Sequence, residues 1–187
     1  MRFNIELKAY VGRIGAPGRL AYRKICDPPV NAMIYWWYDL MSNAVFLNTL
    51  NTSNASAATH NNMHYMSAAA ADLFGLVVGT GTNAVAPGDY ALQAKIAHGT
   101  GVGQLSYGAD TVPTVPTTDG SVRYFEHQRI FTNSSGADIT VYEFGAIART
   151  YSIAQYFLMC RDVNPTGVLI QSTKALTLKY KYQIRVS

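Results

Sequence analysis

The sequence has few charged residues and no long apolar run. Lysine, arginine, aspartate and glutamate make up 14% of its 187 residues, against roughly 25% in an average soluble domain. A disordered chain needs high charge and few apolar residues, so a chain that is 49% hydrophobic is predicted to fold. No run of about 18 apolar residues occurs, and we therefore expect no transmembrane helix and no membrane partner. The length predicts a single domain over 1–187.

Cysteine is also scarce. Cys26 and Cys160 lie far apart in the sequence, and their spacing matches neither a metal site nor a redox CxxC pair. A disulfide and two buried free thiols both remain open. The free thiols are favoured, because unpaired cysteine behaves as a small apolar side chain.

Motifs for metal and phosphate binding are incomplete. His60 and His64 have the spacing of two zinc ligands on a helix, but Asn61 stands where the glutamate of HExxH belongs, and no third ligand follows. The glycine-rich segment 75–82 lacks the lysine of a Walker motif. We interpret it as a buried strand and a turn, and we predict no metal and no cofactor.

Catalytic constellations are missing as well. Glu143 lies inside an apolar strand, where a structural ion pair is favoured over a general base; the candidate partners are Arg123, Arg129 and Arg149. His98 lies in a glycine-rich loop without a serine in a GxSxG setting, and we interpret it as a turn or core histidine. The chain is therefore predicted not to be an enzyme and to have no small-molecule ligand.

Alternation of apolar and polar residues predicts a mainly β fold. We expect an antiparallel β-sandwich with long loops and one amphipathic helix near the N-terminus. The predicted order is a hairpin in 1–29, the helix in 30–47, a long excursion in 48–72 and a β core in 73–187. Ser134 to Asp138 has the composition of a hairpin turn.

The regular alternation over 176–186 predicts a strand with one buried and one wet, basic face. The apolar residues there are Leu176, Leu178, Tyr180, Tyr182, Ile184 and Val186.

The charge is distributed unevenly along the chain. Residues 1–24 hold six basic and one acidic residue, 174–187 hold four basic and none acidic, and 25–173 hold five basic and ten acidic. Basic ends are compatible with a nucleic-acid surface. They are also compatible with polar strand faces that meet an acidic neighbour in a homo-oligomer, which we favour because no aromatic-interleaved basic run accompanies them.

Several segments, taken in order, resemble small structural proteins of tailed bacteriophages and prophages, which are virion or tail proteins. The resemblance rests on Val78-Gly79-Thr80-Gly81, Asp89-Tyr90-Ala91-Leu92, Ile96-Ala97-His98-Gly99, Leu105-Ser106-Tyr107, the stretch 131–145 and the stretch 157–163. It implies a structural subunit of a virion, synthesised in the host cytoplasm, that packs against neck, tail or baseplate proteins. The family's motifs carry no known activity, so no functional residue is transferred.

The predicted partners are copies of the same chain and other virion proteins, and nucleic acid is not favoured. The candidate interface residues are Tyr35, Trp36, Tyr38, His60, Tyr65, Lys179, Lys181 and Arg185. The excursion 48–72 is expected to dock on a neighbouring subunit, since long structureless loops are usually functional or disordered. Two alternatives stay open: a receptor- or carbohydrate-binding fibre module, and a nucleic-acid-binding protein that uses the basic ends.

Overall fold

The computed structural model describes residues 2–26, 51–53, 59–61, 66–86, 89–111, 117–149 and 155–185. Within these ranges the chain forms strands and loops without a helix, and every strand pairing is antiparallel. The prediction of a mainly β fold with antiparallel sheets is confirmed. The predicted helix at 30–47 and part of the predicted excursion at 48–72 lie outside the described residues.

Eleven strands are found in the described part of the chain. In order they are β1 (Arg2–Arg13), β2 (Arg19–Cys26), β3 (Asn51–Ser53), β4 (Thr59–Asn61), β5 (Gly75–Gly79), β6 (Ser106–Tyr107), β7 (Thr117–Asp119), β8 (Val122–Thr132), β9 (Ile139–Arg149), β10 (Tyr156–Ile170) and β11 (Lys174–Arg185).

These strands form three sheets. The large sheet has the order β2-β1-β11-β8-β6, and β7 also pairs with β8. The small sheet has the order β10-β9-β5, and β3 pairs with β4 alone. The first two strands form a hairpin within the segment where alternation predicts one, and β11 runs between β1 and β8 in the middle of the large sheet.

The alternation along β11 follows the predicted pattern. Its apolar side chains Leu176, Leu178, Tyr180 and Tyr182 are buried, whereas Lys179 and Lys181 between them are half-buried. Burying one face of a strand fixes its register, because a slip by one residue would turn the whole apolar set to the other face.

The large and small sheets meet through aromatic and charged side chains. The ring of Tyr22 on β2 stacks on Phe144 of β9, with 5.5 Å between centroids. Asp162 on β10 accepts hydrogen bonds from the Lys24 ammonium at 2.7 Å and from the Tyr180 hydroxyl at 3.2 Å. The apolar core lies around these contacts and draws residues from both sheets.

The segment 134–138 does not make a hairpin, so that prediction is wrong. The strands on either side of it belong to different sheets: β8 pairs with β11, and β9 pairs with β10 and β5. The chain crosses back between sheets at 171–173. Turn composition shows that the chain reverses direction, but it does not show which strands will pair afterwards.

A single buried side chain, Asn133, joins these two crossings. Its amide nitrogen donates to the carbonyls of Ala137 and Ile170, each at 2.8 Å. Its backbone N–H donates to Lys174, and its carbonyl accepts from Thr173. The side chain thereby connects the β8–β9 crossing to the β10–β11 crossing.

Asn133→Ala should lower the free energy of unfolding by about 3 kcal/mol, because two carbonyls lose their buried donor. Chemical denaturation at neutral pH measures the change. Ser135→Ala is the control, because Ser135 is half-buried and its hydroxyl donates to the same asparagine side chain; we expect a loss below about 1 kcal/mol. Equal losses in the two variants would contradict the role given to Asn133.

Candidate interaction surface

Within the described part of the chain, no segment covers one face of the large sheet. Alternate residues of a strand point to opposite faces, so the buried Leu7 and Leu178 mark the inner face, and the half-buried Lys8 and Lys179 mark the outer face. The outer face, called the open face below, carries Glu6, Lys8, Tyr10, Leu20, Arg23, Ile25, Tyr124, Glu126, Gln128, Ile130, Thr177, Lys179 and Lys181.

A row of three cations crosses the open face. Arg23, Lys8 and Lys179 lie side by side on β2, β1 and β11. Glu6 balances part of this charge, since its carboxylate contacts the Lys8 ammonium at 3.0 Å and Arg23 Nε at 2.6 Å. Burial acts to raise the pKa of Glu6, but the bonds from Lys8 and Arg23 outweigh it, and the pKa is lowered.

The lysines of β11 rest on aromatic rings. The Lys181 ammonium lies 3.6 Å from the ring centre of Tyr124, and that of Lys179 lies 5.8 Å from the ring centre of Tyr10. Lys179 also lies 3.6 Å from a carboxylate oxygen of Glu126. Cation–π contacts favour a charge over the face of a ring, so these long side chains are held against the sheet.

Next to the cation row lies a row with exposed apolar side chains. Leu20, Tyr10, Thr177 and Ile130 follow one another across β2, β1, β11 and β8. Leu20 is 46% exposed and Ile130 44% exposed. Apolar side chains aligned beside charged ones are a typical arrangement of protein interfaces.

The small sheet is covered on the side that faces away from the large sheet. Since Phe144 stacks on β2, its neighbours Glu143 and Gly145 point the other way. Glu143 is completely buried there and accepts backbone hydrogen bonds from Gly81 at 3.2 Å, Gln93 at 3.0 Å and Ala94 at 2.7 Å. Residues 81–86 and 89–94 therefore lie over this face.

Arg161 completes this attachment. Its Nε donates to Glu143 at 2.9 Å, and its two terminal nitrogens donate to the Asp89 carboxylate at 2.9 Å and to the carbonyl of Asn83 at 3.1 Å. Burial acts against the charge of Arg161, but the bonds to Glu143 and Asp89 outweigh it and raise its pKa. The predicted ion pair of Glu143 exists, but its partner is Arg161 and not Arg123, Arg129 or Arg149. Pairing of β9 with β10 places Arg161 opposite Gly145, two residues along β9 from Glu143, and so within reach of it.

A second buried polar cluster surrounds Arg129. Its guanidinium is fully buried and donates to the carbonyls of Ala68, Ala71, Phe74, Leu76 and Gly108. Burial lowers the pKa of Arg129, although Asp110, with a carboxylate oxygen 3.7 Å away, opposes this effect. The cluster fixes 68–76 and 108 onto β8.

Asp110 is saturated by donors. Its carboxylate accepts from the backbone N–H and the hydroxyl of Ser67, from the backbone N–H of Leu76, and contacts His127 Nε2 at 2.9 Å. Gly75 has a φ of +84°, and a Cβ at that position would overlap the Asp110 carboxylate, so glycine is required there. This arrangement holds the start of β5 against β8.

Of the interface residues predicted from sequence, Lys179 and Lys181 lie together on the open face. Arg185 ends β11 opposite Arg2, but its side chain is outside the described part. Tyr35, Trp36, Tyr38 and Tyr65 are also outside it, as is the side chain of His60 in β4. His98 lies in a turn, where its Nδ1 accepts the N–H of Tyr107.

Sequence reasoning missed the apolar row and the role of Arg161. The row brings together residues from four strands whose order in the sheet cannot be read from the sequence. A weak signal existed for Arg161, because a charged pair interrupts the apolar run before Val163.

In the described ranges, no helix has the length and apolarity needed to cross a membrane, and no three His, Cys, Asp or Glu side chains are placed to share a metal ion. Comparisons with models of known protein families, with curated proteins and with solved structures found no match to this chain.

Glu6→Gln should lower the free energy of unfolding at pH 7 by about 1 kcal/mol, because two partly exposed ion pairs are lost. A carboxyl with a lowered pKa in the folded state stabilises above its unfolded value, near 4.5, and loses that effect as pH falls through the folded value. The difference between wild type and variant should therefore shrink below about pH 4.5. Denaturation at stepped pH measures it. A constant difference would refute the assignment, and Glu126→Gln is the control at a longer, half-exposed contact.

Glu143→Ala should lower the free energy of unfolding by about 3–5 kcal/mol, since it leaves Arg161 buried without one of its two anions. Hydrogen exchange with mass spectrometry should show faster exchange at Gly81, Gln93 and Ala94, whose N–H groups lose their acceptor. The control is Asp89→Ala, which removes the more exposed anion of the same arginine and should have a smaller effect. Unchanged exchange at Gly81, Gln93 and Ala94 would show that another contact holds them.

Proposed function

We propose that this chain is a structural subunit of a bacteriophage virion, which packs against copies of itself and against neck, tail or baseplate neighbours. The observation that carries the proposal is the difference between the sheets. Residues 81–86 and 89–94 cover the small sheet, whereas no described residue covers the open face of the large sheet, with its apolar row and its cation row. The sequence resemblance to phage structural proteins supports the same function.

The finer architecture belongs to this proposal. We infer that the large and small sheets form a β-sandwich, for which the Tyr22–Phe144 stacking and the Lys24–Asp162 ion pair provide support. The amphipathic pattern in 30–47 further predicts the helix, whose apolar face would add to the core or to an interface.

We also propose that the subunit has no catalytic role. Two buried carboxylates, Asp110 and Glu143, are candidates for a catalytic group. Each is surrounded by hydrogen-bond donors from the chain itself. A general base needs a lone pair within reach of a substrate proton, and these oxygens are directed at backbone N–H groups and arginine or histidine side chains.

Ile130→Asp tests the open face. A carboxylate in a packed apolar row is left without a partner, so self-association should weaken by at least about 10-fold in analytical ultracentrifugation, a change of about 1.4 kcal/mol. The matched control is Leu169→Asp, because Leu169 is 51% exposed on the small sheet. We expect it to leave the oligomer unchanged.

A wild-type protein that stays monomeric at all concentrations, and that binds none of its co-expressed virion neighbours, would contradict the proposal. Binding of the monomer to a glycan array would instead favour the fibre or adhesin function. Unfolding curves for both variants show whether a variant has lost self-association alone or has also lost its folded structure.

A further inference from the structure

The end of the large sheet near the β1–β2 turn carries cations that no carboxylate of the described chain neutralises. Arg13 and Arg19 are exposed, and Lys174 is half-buried. Arg13 lies directly opposite Lys174, and Arg19 lies opposite Val11 on the other side of β1. Like charges directly opposite each other destabilise a sheet, so the isolated subunit bears this repulsion without an internal gain.

The repulsion persists because most carboxylates are used elsewhere. Nine acidic side chains are described, and seven of them pair with a cation of the chain: Glu6, Asp72, Asp89, Asp110, Glu126, Glu143 and Asp162. Asp119 lies on β7, at the other end of the sheet. Asp138 lies near Lys174 in the chain crossings, where it accepts the N–H of Ser172 and makes no ion pair.

Among the residues that the structure describes, no strand pairs with the outer edge of β2. β2 is the outermost strand beyond β1, and an edge strand presents unpaired N–H and C=O groups to a further strand. Five of its residues, Arg19, Leu20, Ala21, Arg23 and Ile25, are exposed. Exposed apolar side chains lie at both ends of this edge: Ile14, next to Arg13, is 54% exposed, and Ile25, opposite Glu6 at the far end of β2, is 53% exposed.

We propose that the β2 edge binds an extended acidic segment of a different protein, which adds a strand to the large sheet and places its carboxylates on Arg13 and Arg19. Main-chain hydrogen bonds supply affinity in such strand addition, and alternate side chains supply specificity. The partner's apolar side chains contact Ile14, Leu20 and Ile25. This inference rests on the proposed assembly function, because it takes the partner to be a neighbouring subunit.

The charges argue against a second copy as the partner. Arg23 and Lys24 already pair with Glu6 and Asp162 of their own chain. A second β2 strand would still bring another Arg19 to this edge and no carboxylate to neutralise it, since β2 contains none. The aliphatic neighbours argue against nucleic acid, because single strands bind to grooves in which aromatic rings stack on the bases. A strand that carries both carboxylates and apolar side chains can pair with the cations and pack against the aliphatic side chains.

The test uses the full-length protein and two fluorescent twelve-residue peptides, one alternating glutamate with valine and one alternating lysine with valine. We expect the acidic peptide to bind in fluorescence anisotropy at least 10-fold more tightly than the basic one. Hydrogen exchange should show new protection at 19–26. Preference for the basic peptide, equal binding, no binding, or protection confined to other strands would overturn the proposal.

The double variant Arg13→Glu/Arg19→Glu should weaken acidic-peptide binding at least 10-fold. The matched control Arg123→Glu changes another exposed arginine of the same sheet and should change acidic-peptide binding less than 2-fold.

A single-stranded 12-mer DNA is the third probe, and tighter binding of this probe at the same residues would overturn the proposal in favour of nucleic acid. If the protein self-associates but does not bind the acidic peptide, only the proposal for the β2 edge is rejected. If the protein is strictly monomeric but binds the peptide, self-assembly is rejected and the proposal for the β2 edge stands.

Discussion

The buried guanidinium of Arg129 ties the large sheet to the start of β5 in the small sheet. It is anchored on β8 of the large sheet and donates to carbonyls on both sides of the start of β5 in the small sheet. Leaving a buried charge without these acceptors would cost several kcal/mol. The position of β5 determines where β9 lies, because β9 pairs with β5 and carries Glu143. The segment that covers the small sheet is attached through Glu143.

The burial of carboxylates inside the molecule changes the balance of charge at its surface. Asp110, Glu143 and Asp162 are buried and bind the chain's own donors. Of the described cations, Arg13, Arg19 and Lys174 at the end of the large sheet have no ion pair with a described carboxylate. A chain with only 14% charged residues thus presents an exposed surface dominated by one sign of charge at the end of its large sheet.

The local patterns predicted local structure well. Strict alternation in β11 indicated its inner and outer faces, and the apolar run at 75–79 indicated a buried strand. The pairing of strands was harder. The composition of 134–138 is that of a hairpin turn, yet the chain changes sheets there, because the pairing partner of β8 is β11, more than 40 residues later.

The partner of Glu143 could not be chosen from sequence for the same reason. Arg161 is 18 residues away from it, and only the pairing of β9 with β10, including its two irregularities in register, brings the two side chains together. Three arginines were equally plausible before that pairing was known. The apolar row of the open face depends even more on topology, since its four members come from both ends and the middle of the chain.

The outer edges of β5 and β2 differ in how far other segments cover them, and this difference bears on assembly. The outer edge of β5 is occupied by 94–96, through a bridge between Gly79 and Lys95 and a hydrogen bond from Ile96 to Val78. At the far side of the large sheet only the short strands β6 and β7 are present. β2 is eight residues long and has no such cover along its exposed residues. Charged residues on an edge are a known means of preventing unwanted strand pairing. The charged residues of β2 are all positive: Arg23 and Lys24 pair with Glu6 and Asp162, and Arg19 has no ion pair among the described residues. Such an edge disfavours pairing with a second basic strand, whereas the acidic segment that we propose would meet no such repulsion.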